Sequence, residues 1–156
     1  MNGDAPEPLF LRPVVPVANV DDAEHTAAAV LPRVAAAGGR ARVVHVVEKA
    51  GGAPDKASVE QREELAADAF DAVRERAAEA GVEVETELRY GTDVAASIID
   101  AARDIDATAI AFTPRSGKAW WDLFSGGVRD SLVTESDRPV VVLPDPAESE
   151  GGGDSG

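Results

Sequence analysis

The chain has 156 residues, of which 44% are hydrophobic and 28% charged, and its formal net charge is −14. This length and this apolar fraction predict a single globular domain with its own core. The negative charge argues against binding to nucleic acid or to an anionic membrane surface, since both need a basic patch. Because the chain has no cysteine and only two histidines, disulfides, thiolate catalysis and Cys- or His-rich metal sites are excluded.

The two ends of the chain differ in composition from its middle. Residues 1–8 are polar and contain prolines, which predicts a flexible N-terminal arm. Residues 144–156 consist mainly of Asp, Glu, Ser and Gly, which predicts a disordered acidic tail. No secretion signal and no run of about 18 apolar residues is found, so we expect a cytoplasmic protein that does not insert into a membrane.

Acidic residues outnumber basic ones by 29 to 15. Such an excess is typical of proteins adapted to high salt, in which the repulsion between surface charges is screened. We therefore expect an acidic, halophilic surface. A midpoint of unfolding that is lower in low salt than in molar salt would support this hypothesis.

The middle of the chain, residues 9–143, predicts five strands. They are four apolar runs and one run in which Val alternates with Glu, and they lie at residues 9–18, 42–48, 82–89, 107–113 and 140–143. The alternating run, residues 82–89, has one polar face and is therefore expected at an edge of the sheet.

Four helices are predicted between these strands. The first is capped by residues 19–22 and ends at Gly38-Gly39, and the second starts with a capping box formed by Ser58 and Gln61. The third follows a cap at residues 91–93, and the fourth covers residues 128–136. Because strands that alternate with helices form a parallel sheet covered on both faces, we expect a single-domain three-layer α/β/α sandwich.

The stretch between the last two strands is the candidate functional site. The strand at residues 107–113 runs into a Gly- and Ser-containing loop, which contains Trp120 and Trp121 and is followed by a helix that starts near Gly126-Gly127. A strand that leads through such a loop to a helix N-terminus can present backbone N–H groups to an anion. The two tryptophans would either close over the site as a lid or meet a partner surface.

This stretch resembles the universal stress protein family. In that family the fourth strand leads into a loop with the pattern Gly, two residues, Gly, nine residues, Gly and Ser or Thr, before a helix and a Pro-Val-rich last strand. A register set from Pro139 places Gly126 and Gly127 on the closing pair of the pattern, and Thr113 and Ser116 on its opening glycines. A register set from Gly117 places Pro114 on the first glycine.

Both registers lack the first glycine and the final hydroxyl, and Pro114 has no N–H to donate. The nucleotide-binding branch of the family also ends its first strand in Asp, where this chain has Ala18. The resemblance therefore covers the layout of residues 9–143 better than the nucleotide-binding motif itself.

The resemblance implies a Rossmann-like fold of the adenine nucleotide alpha hydrolase type, with a parallel sheet in the order 3-2-1-4-5. Strands 1 and 4 are then neighbours, and the crevice at their carboxyl ends is the expected binding site. The candidate nucleotide-binding residues are Ala18, Asn19, Val46, Thr113, Arg115, Ser116, Gly117, Gly126 and Gly127. No cofactor is firmly predicted, and ATP or AMP is possible.

By resemblance, the chain is expected to be a regulatory or adaptor module whose nucleotide pocket is degenerate. One alternative is an ATP- or AMP-binding switch, and another is an enzyme such as a weak ATPase or a nucleotide-dependent ligase. The sequence offers no convergent acid, base and nucleophile, so we expect no catalysis. His45, within a Val-rich strand, is interpreted as a buried structural residue rather than a catalytic base.

The last strand predicts an oligomer. Val140, Val141, Val142 and Leu143 would leave an apolar ladder open at the edge of the sheet, and a two-fold dimer that pairs this strand with its copy would cover it. The resemblance also implies a homodimer through this strand, and it makes a transporter a possible protein partner.

Overall fold

The computed structural model describes residues 6–48, 56–113 and 126–144. Within these segments the chain forms five strands and four helices. The strands are β1 (Pro13–Pro16), β2 (Arg40–Glu48), β3 (Glu83–Gly91), β4 (Ala109–Phe112) and β5 (Val140–Val142). The helices are α1 (Val20–Ala37), α2 (Lys56–Ala80), α3 (Val94–Asp104) and α4 (Gly126–Glu135).

All five strands lie in one sheet in the order β3-β2-β1-β4-β5, and every neighbouring pair is parallel. This order confirms the fold class that the resemblance implies. It also places β3, the strand of alternating polarity, at one edge and β5 at the other.

β1 is shorter than the predicted strand at residues 9–18. Pro13 and Pro16 are its first and last residues, so the backbone donors that they lack are missing only at the ends of the ladder. The preceding residues form a turn in which Leu11 N–H donates to Pro8 O at 3.1 Å. A central strand can therefore contain two prolines because it has only four residues.

The helix ends at α1 and α3 follow the predicted signals. Asn19 caps α1 by accepting the backbone N–H of Asp22 at 2.9 Å, and Gly38 ends the helix with a φ of 66°. Asp93 caps α3 in the same way, accepting the N–H of Ala96 at 3.1 Å. Both helices thus begin with a side chain that satisfies an otherwise open backbone donor.

Two predicted helix starts are wrong. α2 begins at Lys56, so Ser58 lies within the helix and not at the position before it. The three-residue spacing of a capping box is also the spacing of neighbours within a helix, which is why it misplaced the start. α4 begins at Gly126, two residues before the predicted start, so that both glycines belong to the helix.

The sheet separates two apolar cores. Val15, Val17 and Val43 point to the face covered by α1 and α2, where Phe70 and Val73 are also buried. The opposite face is covered by α3 and α4, whose buried residues pack against those of the strands; they include Val14, Val44, Ile98, Ile110 and Leu132. These two cores confirm the three-layer architecture. None of the helices in the described segments is long and apolar enough to cross a membrane.

Candidate functional site at the carboxyl end of the sheet

The expected crevice lies where β1 and β4 end. These strands are neighbours, with Pro13 opposite Ala109. The helix after β1 packs on one face of the sheet and α4, which precedes β5, packs on the other. Connections that leave neighbouring strands toward opposite faces create a crevice at the carboxyl ends, where ligands of such folds bind.

The structure describes six of the nine candidate nucleotide-binding residues. Ala18, Asn19, Val46 and Thr113 follow or end the central strands, and Gly126 and Gly127 open α4. The other candidates, Arg115, Ser116 and Gly117, lie outside the described residues, as do Trp120 and Trp121. The nucleotide-binding role of all nine stays a prediction.

The crevice has an apolar floor on the α3 side of the sheet. Ala18 and Val46 are buried there in one cluster with Val94, Ala95 and Phe112. Val46 lies near the carboxyl end of β2, and Phe112 is the last residue of β4. Such a floor suits an apolar or aromatic group but supplies no hydrogen bond.

The polar side chain of Asn19 is partly used within the protein. Its Oδ1 accepts the N–H of Asp22 at 2.9 Å, and its backbone oxygen accepts the N–H of Ala23 at 2.8 Å. The side-chain amide nitrogen is therefore the part of Asn19 that is left to bind a ligand.

Asp22 is the principal polar residue that the sequence reasoning missed. Its carboxylate is buried, with 2% of the residue exposed, and its Oδ2 accepts the backbone N–H of Ala18 at 2.7 Å. That N–H lies at the end of β1, where it would otherwise be open to an anion in the crevice. The carboxylate of Asp22 thus takes the position at this N–H that an anionic ligand would otherwise occupy.

A chain of hydroxyl groups extends from Asp22 to the end of β4. Thr26 Oγ1 donates to Asp22 Oδ1 at 3.3 Å and lies 2.9 Å from Thr113 Oγ1. Because a threonine hydroxyl has one proton, Thr113 must donate to Thr26. Both threonines are fully buried, so Thr113 connects β4 to α1 instead of facing an open pocket.

Part of this network was open to sequence reasoning. Asp22 and Thr26 are four residues apart and therefore neighbours on one side of α1. Thr113 directly follows β4, the strand beside β1. A helical-wheel analysis of α1 that included polar residues could have placed Asp22 and Thr26 on the side of the helix that faces the sheet.

His45 is buried and hydrogen-bonded, as expected of a structural residue in a Val-rich strand. Its Nδ1–H donates to the backbone oxygen of Val17 at 2.9 Å, and 3% of the residue is exposed. Burial is the main cause that lowers the pKa of His45; the charge of Arg62 lowers this pKa further, and the Val17 carbonyl acts in the opposite direction. The ring is therefore neutral at neutral pH.

The first turn of α4 is the part of the site that suits an anion. It starts with Gly126-Gly127 and contains no acidic side chain, and Gly127 is exposed. The first N–H groups of a helix lack partners within the helix, and the helix dipole favours negative charge there. In the described segments, no group of three or more His, Asp or Glu side chains could hold a metal ion.

Solved structures with similar folds include universal stress proteins. One from Burkholderia pseudomallei has a TM-score of 0.70 and 25% identity, with 89% of this chain and 99% of that one covered. Another, from Archaeoglobus fulgidus in complex with dAMP, has a TM-score of 0.65 and 22% identity, covering 87% and 99%. A third, in complex with cAMP, has a TM-score of 0.64 and 16% identity, covering 86% and 97%.

The fold and the crevice define an open, doubly wound α/β domain with a single parallel sheet. The sequence model of the Universal stress protein family matches residues 11–144, which is most of the chain. The chain belongs to the universal stress protein family. A search of curated proteins found no significant match.

Proposed function

We propose that this protein is a non-enzymatic regulatory or adaptor module whose crevice does not hold ATP in the manner of the nucleotide-binding branch of its family. The observation that carries this proposal is the bond from Ala18 N–H to the buried carboxylate of Asp22, 2.7 Å long. A triphosphate placed at the end of β1 would lose this donor and would meet a carboxylate behind it. Both effects disfavour an anionic ligand there.

Two further contacts support the proposal. Asn19 Oδ1 is held by the N–H of Asp22, and the hydroxyl of Thr113 is directed to Thr26. The candidate polar groups at the carboxyl ends of β1 and β4 are thus largely used within the protein. A regulatory module needs no such groups, because its output depends on a partner surface rather than on chemistry in the crevice.

Calorimetric titration with ATP and Mg²⁺ in high salt tests this proposal. We expect no saturable heat at micromolar nucleotide, and the same result with AMP. Saturable binding of ATP at micromolar concentration would contradict the proposal.

The variant Asn19→Asp locates any binding that is found. Asp caps a helix as well as Asn does, so the fold should be kept while a negative charge is added at the crevice. Binding that the variant weakens belongs to the crevice, and this would favour the alternative below. Binding that the variant leaves unchanged belongs elsewhere on the protein.

The alternative function is an adenine nucleotide switch. The similar proteins solved with dAMP and cAMP, the apolar floor at Val46 and Phe112 and the first turn of α4 favour it. In this arrangement the base would pack on the floor and the phosphate would lie near Gly126 and Gly127. Turnover of labelled ATP would favour an ATPase over both functions.

We also propose that the protein is a homodimer through β5. This edge strand has three residues, and Val142 is 43% exposed beside the half-buried Val140 and Val141, whereas Leu143, which follows the strand, is buried in the core. An apolar edge with unpaired backbone groups is a site for pairing with another chain. A two-fold axis beside β5 would pair the strand with its own copy.

Light scattering after size exclusion tests the dimer. At micromolar concentration we expect a mass of about twice the 16.2 kDa of one chain. Val142→Lys should give the monomer, because a charged side chain opposes pairing at an edge strand. The matched control is Leu9→Lys, which changes a residue with a similar exposure of 42% that precedes β1 and is not part of β5, and it should stay dimeric. A monomeric wild-type protein would contradict the proposal.

A transporter as a protein partner stays a prediction from the resemblance.

A further inference from the structure

The amino end of the sheet brings three arginines together. β1 and β2 are in register with Val14 opposite Arg42, and Arg40 N–H donates to Leu11 O at 3.0 Å. Side chains two residues apart point to the same face of a strand. Arg40 and Arg42 therefore lie on the α3 side of the sheet, where Val14 also points, and Arg12, in the turn before β1, lines the same pocket.

These arginines line a small pocket, which we name the arginine pocket. It is lined by Arg12, Arg40, Ala41, Arg42, Glu85 and Ile105, and its volume is about 60 Å³. This volume is larger than the roughly 10–15 Å³ that one water needs. A second, open cavity of about 320 Å³ adjoins it and shares Arg12 and Arg40.

The three guanidinium groups differ in how far they are paired. Arg12 donates to both carboxylate oxygens of Glu7, at 2.7 and 3.1 Å, and to the backbone oxygen of Asp106, at 2.9 and 3.3 Å. Arg42 donates to Glu85 at 2.7 Å and to Glu87 at 3.1 Å, but its buried Nε–H has no hydrogen-bond partner. Arg40 has no hydrogen bond or ion pair from its side chain to any residue in the described segments.

Arg40 is exposed and makes no side-chain hydrogen bond to the described residues, although the chain is rich in carboxylates. Acidic residues outnumber basic ones by 29 to 15, so carboxylates are abundant. Arg40 lies opposite Glu83 on β3, and its charge helps to lower the pKa of Glu85, yet its guanidinium group donates no hydrogen bond to either carboxylate. Arg12 lines the same pocket, and like charges side by side in a sheet are unfavourable. An anion between the two would remove this repulsion.

We infer that the arginine pocket binds a small oxyanion, namely a phosphoryl group. It would be free inorganic phosphate or the head of a small phosphomonoester whose remainder lies in the adjoining open cavity. Guanidinium groups bind phosphate through pairs of charge-assisted hydrogen bonds, and Arg40 has all of its donors available. This site lies at the opposite end of the sheet from the crevice, so it does not depend on the function proposed for the crevice.

Calorimetric titration with inorganic phosphate, at an ionic strength held constant with chloride, tests this inference. We expect saturable binding in the millimolar range for the wild-type protein. Glycerol phosphate, titrated in the same way, distinguishes the sources. Tighter binding of the ester would indicate that the ligand is a phosphomonoester whose remainder lies in the adjoining cavity. Tighter binding of free phosphate would indicate that the ligand is inorganic phosphate in the arginine pocket alone. No saturable binding of either compound would overturn the inference.

Three variants make the test specific to the pocket. Arg40→Gln should weaken phosphate binding by roughly tenfold or more, because hydrogen bonds between charged groups are lost. Glu7→Gln should strengthen it, because it removes a negative charge beside Arg12 while the hydrogen bonds from Arg12 to Asp106 O keep the guanidinium group in place. Arg76→Gln changes the net charge as Arg40→Gln does, at an exposed residue of α2, and should leave binding unchanged. Equal binding by Arg40→Gln and Arg76→Gln would overturn the inference, even if one of the other variants failed to fold.

Discussion

The two ends of the sheet use their polar groups in different ways. At the carboxyl end, Asp22, Thr26 and Thr113 are buried and bonded to one another and to the backbone. At the amino end, charged side chains stay partly exposed and form ion pairs around the arginine pocket. There the hydrogen bond from Arg42 is the main cause that lowers the pKa of Glu85.

Because of this difference, we expect the polar groups at the carboxyl end to contribute to stability and those at the amino end to contribute to ligand binding. Buried hydrogen bonds are expensive to break because an unpaired donor or acceptor then stays out of water, whereas exposed ion pairs contribute little to stability. We therefore expect polar substitutions at the carboxyl end to act mainly on the free energy of unfolding. Those in the arginine pocket should act mainly on ligand affinity.

The largest expected effect is that of Asp22→Ala. It leaves the N–H of Ala18 and the hydroxyl of Thr26 without their acceptor, and we expect the free energy of unfolding to fall by about 3 kcal/mol. Urea denaturation measures it. Asp22→Asn keeps an oxygen acceptor and should cost less.

The control for this prediction is Asp68→Ala. Asp68 is exposed on α2, so the same substitution should change the stability by no more than about 0.5 kcal/mol. If Asp22→Ala were as mild as Asp68→Ala, the buried network would not contribute to stability, and the contrast between the two ends would be wrong.

Two glycines at the amino end give the next prediction. A Cβ at Gly39 would lie 2.3 Å from Leu11 O and 2.6 Å from Phe10 O, so Gly39→Ala must separate the chain segments that start β1 and β2. We expect a loss of about 2–3 kcal/mol. At Gly38 the space is open but φ is +66°, and Gly38→Ala should cost only about 1 kcal/mol.

Thermal unfolding of the two glycine variants measures this difference. A smaller loss at Gly39 than at Gly38 would show that the chain at the amino end can move apart easily. In that case the arginine pocket would not have a fixed shape.

The parallel sheet and the edge position of β3 could be predicted from the sequence for physical reasons. Alternation of strands with helices fixes a parallel sheet, and the polar alternation at residues 82–89 fits only an edge. The order of the central strands, however, came from the family resemblance, because hydrophobic patterns do not encode which strands are neighbours. The predicted helix boundaries were wrong where the spacing of a capping motif is also the spacing of neighbours within a helix, as at Ser58.

The chemistry of the two ends could not be predicted in the same way. Asp22 follows Asp21 at a helix start in a very acidic chain, where a solvent-exposed carboxylate is the usual outcome. Its burial depends on the N–H of Ala18, which becomes an open donor only when the end of β1 is placed. The arginine pocket likewise requires the register between β1 and β2, which sets Arg12 beside Arg40.

The pH dependence of stability provides a smaller effect at the carboxyl end. Burial lowers the pKa of His45 below its ordinary value of 6.5, so between the two values the unfolded chain binds more protons than the folded one. The free energy of unfolding should therefore fall as the pH decreases below 6.5, by at most about 1.4 kcal/mol per pH unit for one proton.

Chemical denaturation between pH 7 and pH 5 measures this slope. The carboxylate of Glu85, whose pKa is lowered from 4.5, loses its contribution only at more acidic pH. His45→Gln keeps a donor for Val17 O and should flatten the slope. Identical slopes for the variant and the wild-type protein would mean that His45 can accept a proton without leaving its place.

The smallest expected effect is the coupling between Thr26 and Thr113. Thr113→Val removes the proton that Thr26 accepts, and Thr26→Val removes both that acceptor and a donor to Asp22. Since the two hydroxyls bond to each other at 2.9 Å, the double variant should lose less stability than the single losses added together, by about 0.5–1 kcal/mol. If the stability losses of the two single variants, measured by urea denaturation, added up to that of the double variant, the hydroxyl contact between α1 and the end of β4 would not contribute to stability.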